Sequence, residues 1–150
     1  MGTHHQGTAE ETRALDAYVK LLRAAASVGA RATRHLADAG LTVSQFGVLE
    51  VVHHLGPLCQ RDIGRKLLLS GGNITTVVDN LERRGLVRRE RAAANRRFVT
   101  VHLTEEGRRL VRRVFPRHVA EVVGALGALP AREQEDLGRL CRKLGLAQGE

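Results

Sequence analysis

Large rings are scarce in this chain: its 150 residues include three Phe, one Tyr and no Trp. The core must therefore be built from Leu, Val, Ile and Ala, which points to packed helices. Cysteine is nearly absent as well. Cys59 and Cys141 are too few for a disulfide scaffold and fit a reducing, cytoplasmic setting. No apolar run approaches the ~18–20 residues of a membrane span. The opening MGTHHQGTAEETR lacks the basic-then-apolar pattern of a signal peptide, so no membrane partner is expected. Catalytic and metal patterns are missing too. The seven histidines show no zinc spacing, and adjacent His53 and His54 point to different sides of a helix. No nucleophile, base and acid stand in a supporting context, and Gly71-Gly72 lacks the lysine and spacing of a phosphate loop. We expect no enzyme, no cofactor and no metal.

Acidic residues are outnumbered, 16 against 24 basic, for a net charge of +8. The excess is local. Residues 60–100 hold ten basic and four acidic side chains, net +6, whereas 1–40 are net +1, 41–59 net −1 and 101–150 net +2. Charge concentrated in one stretch suits a face that meets a polyanion.

Within that stretch lies SGGNITTVVDNLERRGL, residues 70–86. Ile74, Val77, Val78 and Leu81 fall at i, i+3, i+4 and i+7, one narrow apolar stripe on a helix. Ser70 is a suitable N-cap, and Gly85 sits at the expected C-terminal stop after two arginines. The opposite face carries Gly72, Asn73, Thr76, Asp79 and Arg83, with Thr75 on its flank. Short polar groups of this kind can enter a groove and hydrogen-bond base edges.

Around this helix the chain reads in order. Residues 1–8 form a loose tail. A helical pattern runs over about 9–39, interrupted or not at Gly29, with Leu15, Val19 and Leu22 on one side, and Gly40 ends it. Thr42 and Gln45 make a capping box that opens a helix with Phe46, Leu49, Val52 and His53 inward. Gly56-Pro57 stops it, Leu58 begins a short link, and a short helix starts near Gln60 with Ile63 and Leu67 inward. Helix, tight turn and polar-faced helix make a helix-turn-helix. Beyond Gly85 the period becomes 2. Residues 97–103 read as a strand, 86–91 as its partner, and RAAANR as the small basic loop of a β-hairpin wing. Thr104 caps a helix that Pro116 should kink, and Pro130 opens a last helix carrying Leu137, Leu140, Cys141 and Leu144 on one face. A winged core of about 65 residues cannot cover all the flanking stripes. The uncovered ones (Leu15, Val19, Leu22, Val122, Leu126, Leu137, Leu140 and Leu144) are expected to meet a second copy in a symmetric dimer.

The run from Leu41 through Leu110, with NITTVVDNLERRGLV, a wing ending in Arg-Arg and LTEEGRRL, resembles the MarR (multiple antibiotic resistance regulator) family of bacterial transcription factors. The resemblance is close over about half the chain and extends over all of it in helix order. It implies one domain over 1–150: a mainly α fold with a small β-hairpin wing, its winged helix-turn-helix core at 41–103 and dimerisation helices at 9–40 and 104–150. It further implies a homodimer on a pseudo-palindromic double-stranded DNA operator, associated with the bacterial nucleoid, acting as a repressor released by a small aromatic ligand or an oxidant. Family wings often carry Asp where this chain has Ala92 and Asn95, which leaves this wing more basic.

On that reading Gly72, Asn73, Thr75 and Thr76 on the Ser70 helix read the major groove. Arg83 meets phosphate or pairs with Asp79 at i, i+4. Arg96 and Arg97 enter the minor groove, Arg97 matching the family's wing arginine. Gln60 and Arg61 open the preceding helix and touch phosphate. Arg88, Arg89 and Arg91 supply general electrostatics. A ligand would sit between the winged core and the dimer helices, lined by Phe46, His53, Val111 and Phe115, which serve equally well as core. Cys59, close to Arg61 and a helix start, has a redox reading and a packing reading. The family's peroxide sensors carry their cysteine in the first helix, and residues 1–58 contain none, so packing is favoured. The competing readings are a non-specific architectural DNA binder, which would favour Lys and Arg on the Ser70 helix, and a protein-interaction winged helix, which would not need the local charge.

Overall fold

The computed structural model describes residues 4–149, and the side chain of Arg96 lies outside the described atoms. Six α-helices and a three-stranded sheet follow in the order α1 (Ala9–Thr33), a 3-10 helix (Arg34–Ala39), α2 (Val43–Leu55), β1 (Leu58–Cys59), α3 (Gln60–Lys66), α4 (Gly71–Arg83), β2 (Val87–Ala92), β3 (Asn95–Leu103), α5 (Glu105–Leu126) and α6 (Ala131–Ala147). The backbone divides into two compact units, His35–His118 and a second made of the two chain ends, through residue 34 and from Val119 onward.

In the His35–His118 unit the apolar stripes close on one another. Phe46, Val48, Leu49 and Val52 of α2, Ile63 of α3, and Ile74, Val78 and Leu81 of α4 are buried with Val87, Val101 and Leu103 of the sheet and Leu110, Val111 and Val114 of α5. Capping follows the side chains. Thr42 Oγ1 accepts the Gln45 N–H at 3.1 Å, while Gln45 Oε1 accepts the Thr42 N–H at 3.1 Å. Leu68, in the turn between α3 and α4, adopts the left-handed region at φ 55 although it has a side chain. Its N–H donates to the Arg65 carbonyl, and that of Leu69 to the Gly64 carbonyl at 2.8 Å, closing the turn without a glycine.

Two local expectations are revised. Leu58–Cys59 is a strand, not a link: it pairs antiparallel with β3, Leu58 opposite Val101 and Cys59 opposite Thr100, giving the order β1-β3-β2. The wing's loop is shorter than RAAANR. The strands reach Ala92 and Asn95, and only Ala93 and Ala94 turn, with a register shift between Arg91 and Ala92. Of the two alternatives at Gly29, the unbroken one is found, α1 running through it, and Pro116 lies inside α5.

The wing is held at its root. Thr104 Oγ1 donates to the Gly85 carbonyl at 2.6 Å, and the Thr104 N–H donates to the Leu86 carbonyl at 3.2 Å. The same Thr104 oxygen accepts the Gly107 N–H at 3.1 Å and so caps α5.

The unit made of the chain ends contains α1, the end of α5, and α6. Thr8 and Glu11 form a capping box at the start of α1. Gln134 Nε2 donates to the carbonyls of Leu126 and Leu129 at 3.2 and 2.9 Å, joining α5 to α6. No residue of α6 is buried, and Leu22, Leu140 and Leu144 are each at least half exposed.

Candidate nucleic-acid interface

Helix α4 turns its apolar stripe into the core, so the remaining turn of its surface faces out. Ser70, at φ −64 and ψ 159, accepts the Asn73 N–H at 3.3 Å and starts the helix. Gly72, Asn73, Thr75 and Thr76 are all exposed. Thr76 Oγ1 donates to the Gly72 carbonyl at 3.1 Å, and Thr75 Oγ1 donates to that of Gly71 at 2.9 Å. Both hydroxyls return their protons to their own helix, which leaves oxygen lone pairs outward.

Arg83 is exposed, and its Nη1 donates to Asn80 Oδ1 at 3.0 Å. Of the two alternatives for Arg83, the Asp79 pair is not formed. Asp79 is taken instead by Arg89 of β2, whose side chain is only 21% exposed. Arg89 Nη2 donates to Asp79 Oδ1 and, at 3.3 Å, to the Thr75 carbonyl. Its Nη1 donates to Glu82 Oε2 at 3.0 Å, and its backbone N–H donates to Glu82 Oε1 at 3.2 Å. Its Nε donates to Gln60 Oε1 at 3.1 Å. One guanidinium thus ties β2 to α3 and α4, which corrects its reading as general electrostatics. The signal was present in the strand period. Arg89 is two residues from buried Val87 and shares its side of β2, while Asp79 and Glu82 stand at i and i+3 on one helix face.

Gln60 also has internal partners. Its side chain is half-buried, accepting from Arg89 and donating through Nε2 to Thr75 Oγ1 at 3.1 Å. Arg61, beside it, is exposed. Arg97 on β3 is exposed, and its N–H donates to Asn95 Oδ1 at 3.0 Å; the Arg96 side chain falls outside the described atoms. A cleft of about 290 Å³ separates these elements. Its lining includes Arg61 and Arg65 of α3, Gly71 of α4 and Arg97 of β3, together with Cys59 and Gln60. Arg65 was not among the residues anticipated for this face. Cys59 is half-buried at the N-cap position of α3 and makes no side-chain cap.

The anticipated ligand-lining residues separate. Phe46 and Val111, at 3% and 1% exposure, are core, while His53 and Phe115 are half-buried. Phe115 stacks near His54 with centroids 4.8 Å apart, and Phe46 lies 4.8 Å from His118. His53 borders a small cleft of about 130 Å³ with Pro57, Leu103 and Arg108. Burial, then the charges of His54, Arg112 and Arg108, hold its pKa below the ordinary value. A larger cleft of about 410 Å³ is lined by His35, Asp38, Ala39, Arg113, Val114 and Arg117, with Arg117 Nη1 donating to Asp38 at 2.9 Å. Among the described residues no group of His, Cys, Asp and Glu is placed to hold a metal, and no helix is long and apolar enough to cross a membrane. Of the residues assigned to dimerisation, Leu15, Leu22, Leu137, Leu140 and Leu144 are exposed, and Val19, Val122 and Leu126 are half-buried.

A helix-turn-helix carried by a three-stranded sheet, with a polar second helix and a basic hairpin, defines the winged-helix class. The MarR family model matches residues 39–97. Over 137 residues the chain is 35% identical to the uncharacterized HTH-type transcriptional regulator YkoM of Bacillus subtilis, covering 91% of this chain and 89% of that one. MhqR of the same bacterium, also an HTH-type transcriptional regulator, is 34% identical over 134 residues, 89% of this chain and 92% of its own. The chain is similar in fold to Sco3205 of Streptomyces coelicolor, a MarR family regulator solved in complex with DNA. The TM-score is 0.84 over 99% of this chain and 94% of that one, at 24% identity. BpsR of Bordetella bronchiseptica, whose DNA binding is regulated by 6-hydroxynicotinic acid, gives a TM-score of 0.79 at 27% identity, covering 86% of this chain and 98% of its own. This chain belongs to the MarR family and is a DNA-binding transcriptional regulator.

Proposed function

We propose that the chain reads a specific double-stranded operator as a homodimer. In this reading α4 lies in the major groove through Gly72, Asn73, Thr75 and Thr76, and the wing reaches the minor groove through Arg96 and Arg97. The observation that carries the reading is the exposed, short-side-chained edge of α4, held to the basic hairpin by Arg89. A binder that followed only the backbone would need Lys or Arg on that edge. Arg61, Arg65 and Arg83 supply phosphate contacts around it. Apolar side chains exposed at both chain ends supply the surface for pairing two copies, and a twofold protein calls for a pseudo-palindromic site.

Selection of bound sequences from a random duplex pool, followed by salt titration, tests this. Thr76→Ala should alter the selected bases. Arg97→Ala should weaken all sequences alike and reduce the slope of log affinity against log salt by about one. Equal slopes for wild type and Arg97→Ala would remove the wing from the interface.

We further infer a repressor released by a small aromatic acid. Support comes from the 410 Å³ cleft, whose Arg113 offers a cation beside the apolar Ala39 and Val114 while Arg117 is paired with Asp38, and from the regulation of BpsR by 6-hydroxynicotinic acid. Release from operator DNA by a panel of aromatic acids, lost in Arg113→Ala, is the expected result. An oxidant acting at Cys59 is the second reading, favoured by its place in the arginine-lined cleft. It requires peroxide to release DNA from the wild type and not from Cys59→Ser.

A further inference from the structure

Arginine can only donate hydrogen bonds, and this fixes the direction of each proton between β2 and the exposed edge of α4. The Arg89 Nε–H meets the Gln60 amide at 3.1 Å, so the atom receiving it is the carbonyl oxygen. The amide's other end is then its NH2 group, 3.1 Å from Thr75 Oγ1. Thr75 must accept there, and its own proton goes to the Gly71 carbonyl at 2.9 Å. A hydroxyl has one proton and two lone pairs. Here the proton and one lone pair are spent inside the protein, and the exposed side chain has one lone pair left to offer. Asp79 and Glu82 anchor the start of the chain by holding the guanidinium that directs it.

We propose that Thr75 reads the major groove as an obligate acceptor. It selects a base that presents an exocyclic amino group there, adenine or cytosine, and Gln60 and Arg89 are positioning residues that set this polarity. The proposal rests on α4 being the recognition helix. Guanine O6 and thymine O4 are acceptors on the same groove edge, and each would meet the lone pair of Thr75 without a proton between them. An unrestrained threonine could turn its hydroxyl to suit either kind of base. Here turning the proton outward breaks the bond to Gly71, and turning the side chain breaks the one from Gln60 as well.

The test is base selection with the full chain and the variants Thr75→Ser, Thr75→Val and Gln60→Ala, with melting curves to establish folding. Wild type should enrich adenine or cytosine over guanine and thymine at one position of each half-site by roughly three- to tenfold, the value of one hydrogen bond. Thr75→Ser should keep that preference. Thr75→Val should lose it at that position alone, with an unchanged salt slope because no phosphate contact is removed. Gln60→Ala should free the hydroxyl and admit guanine or thymine at the same position, a change that loss of packing would not direct to one base pair. The inference is overturned by a consensus that Thr75→Val leaves untouched, or by a guanine or thymine preference that Thr75→Val abolishes. It is equally overturned if Gln60→Ala keeps the wild-type preference. A wild type that selects no sequence overturns the recognition-helix reading itself, and the inference falls with it.

Discussion

Gly107 shows how little room one position can leave. A Cβ there would overlap the Leu86 carbonyl oxygen, which already accepts the Thr104 N–H. Gly107→Ala should therefore cost about 1–3 kcal/mol, the usual range for overpacking, read as a lower urea midpoint at constant slope. His53 carries a pH signature of definite sign. Its folded pKa lies below its ordinary 6.5, so the unfolded chain takes up the proton first as the pH falls. Its contribution is constant above pH 6.5 and turns destabilising below it, levelling off once the folded imidazole also titrates. Melting temperatures of His53→Gln should fall less than those of wild type between pH 7 and 5.5.

Among the elements, β2 and α4 depend on one another through Arg89. Arg89→Met keeps the length and apolar stem of the side chain but leaves Asp79 and Glu82 facing the DNA side without their cation. Operator affinity should drop about tenfold or more, a loss of one charge-assisted contact or slightly greater, while the circular dichroism spectrum stays helical. Fluorescence anisotropy on a labelled duplex measures it, and unchanged affinity would exclude the latch from the interface. The same elements show what a sequence can and cannot disclose. Periodicity places Ile74, Val78 and Leu81 inside, the Thr42–Gln45 box marks the start of α2, and the alternation over 97–103 identifies β3, because each signal repeats within one segment. Leu58–Cys59 is too short to show a period and is a strand only because Val101 and Thr100 lie opposite. Arg89 escapes for a related reason. Its role lies in partners 7 to 29 residues away, and one arginine among several has no local mark.

At the scale of the whole molecule, the charge and most of the exposed large apolar side chains occupy different parts of the chain. The net +6 lies in residues 60–100, whereas Leu22, Leu140 and Leu144 stand exposed near the chain ends. A seventeen-residue amphipathic helix with no buried residue, α6, has little stability alone and gains it by covering its leucines. Leu140→Glu should convert a dimer to a monomer in light scattering at micromolar concentration, with the unfolding transition of the winged core retained. Operator affinity should fall at least tenfold, since one half-site is then read alone. A wild type that is already monomeric would remove pairing from the account.

Thr104 gives the wing a fixed end. With the Gly85 and Leu86 carbonyls both hydrogen-bonded to it and Gly107 pressed against Leu86, the hairpin is a cantilever whose free tip is Ala93-Ala94. Deflection of such a beam grows toward its tip, so in the proposed complex Arg97, three residues past Ala94, follows variation in groove width while the root keeps its register with α4.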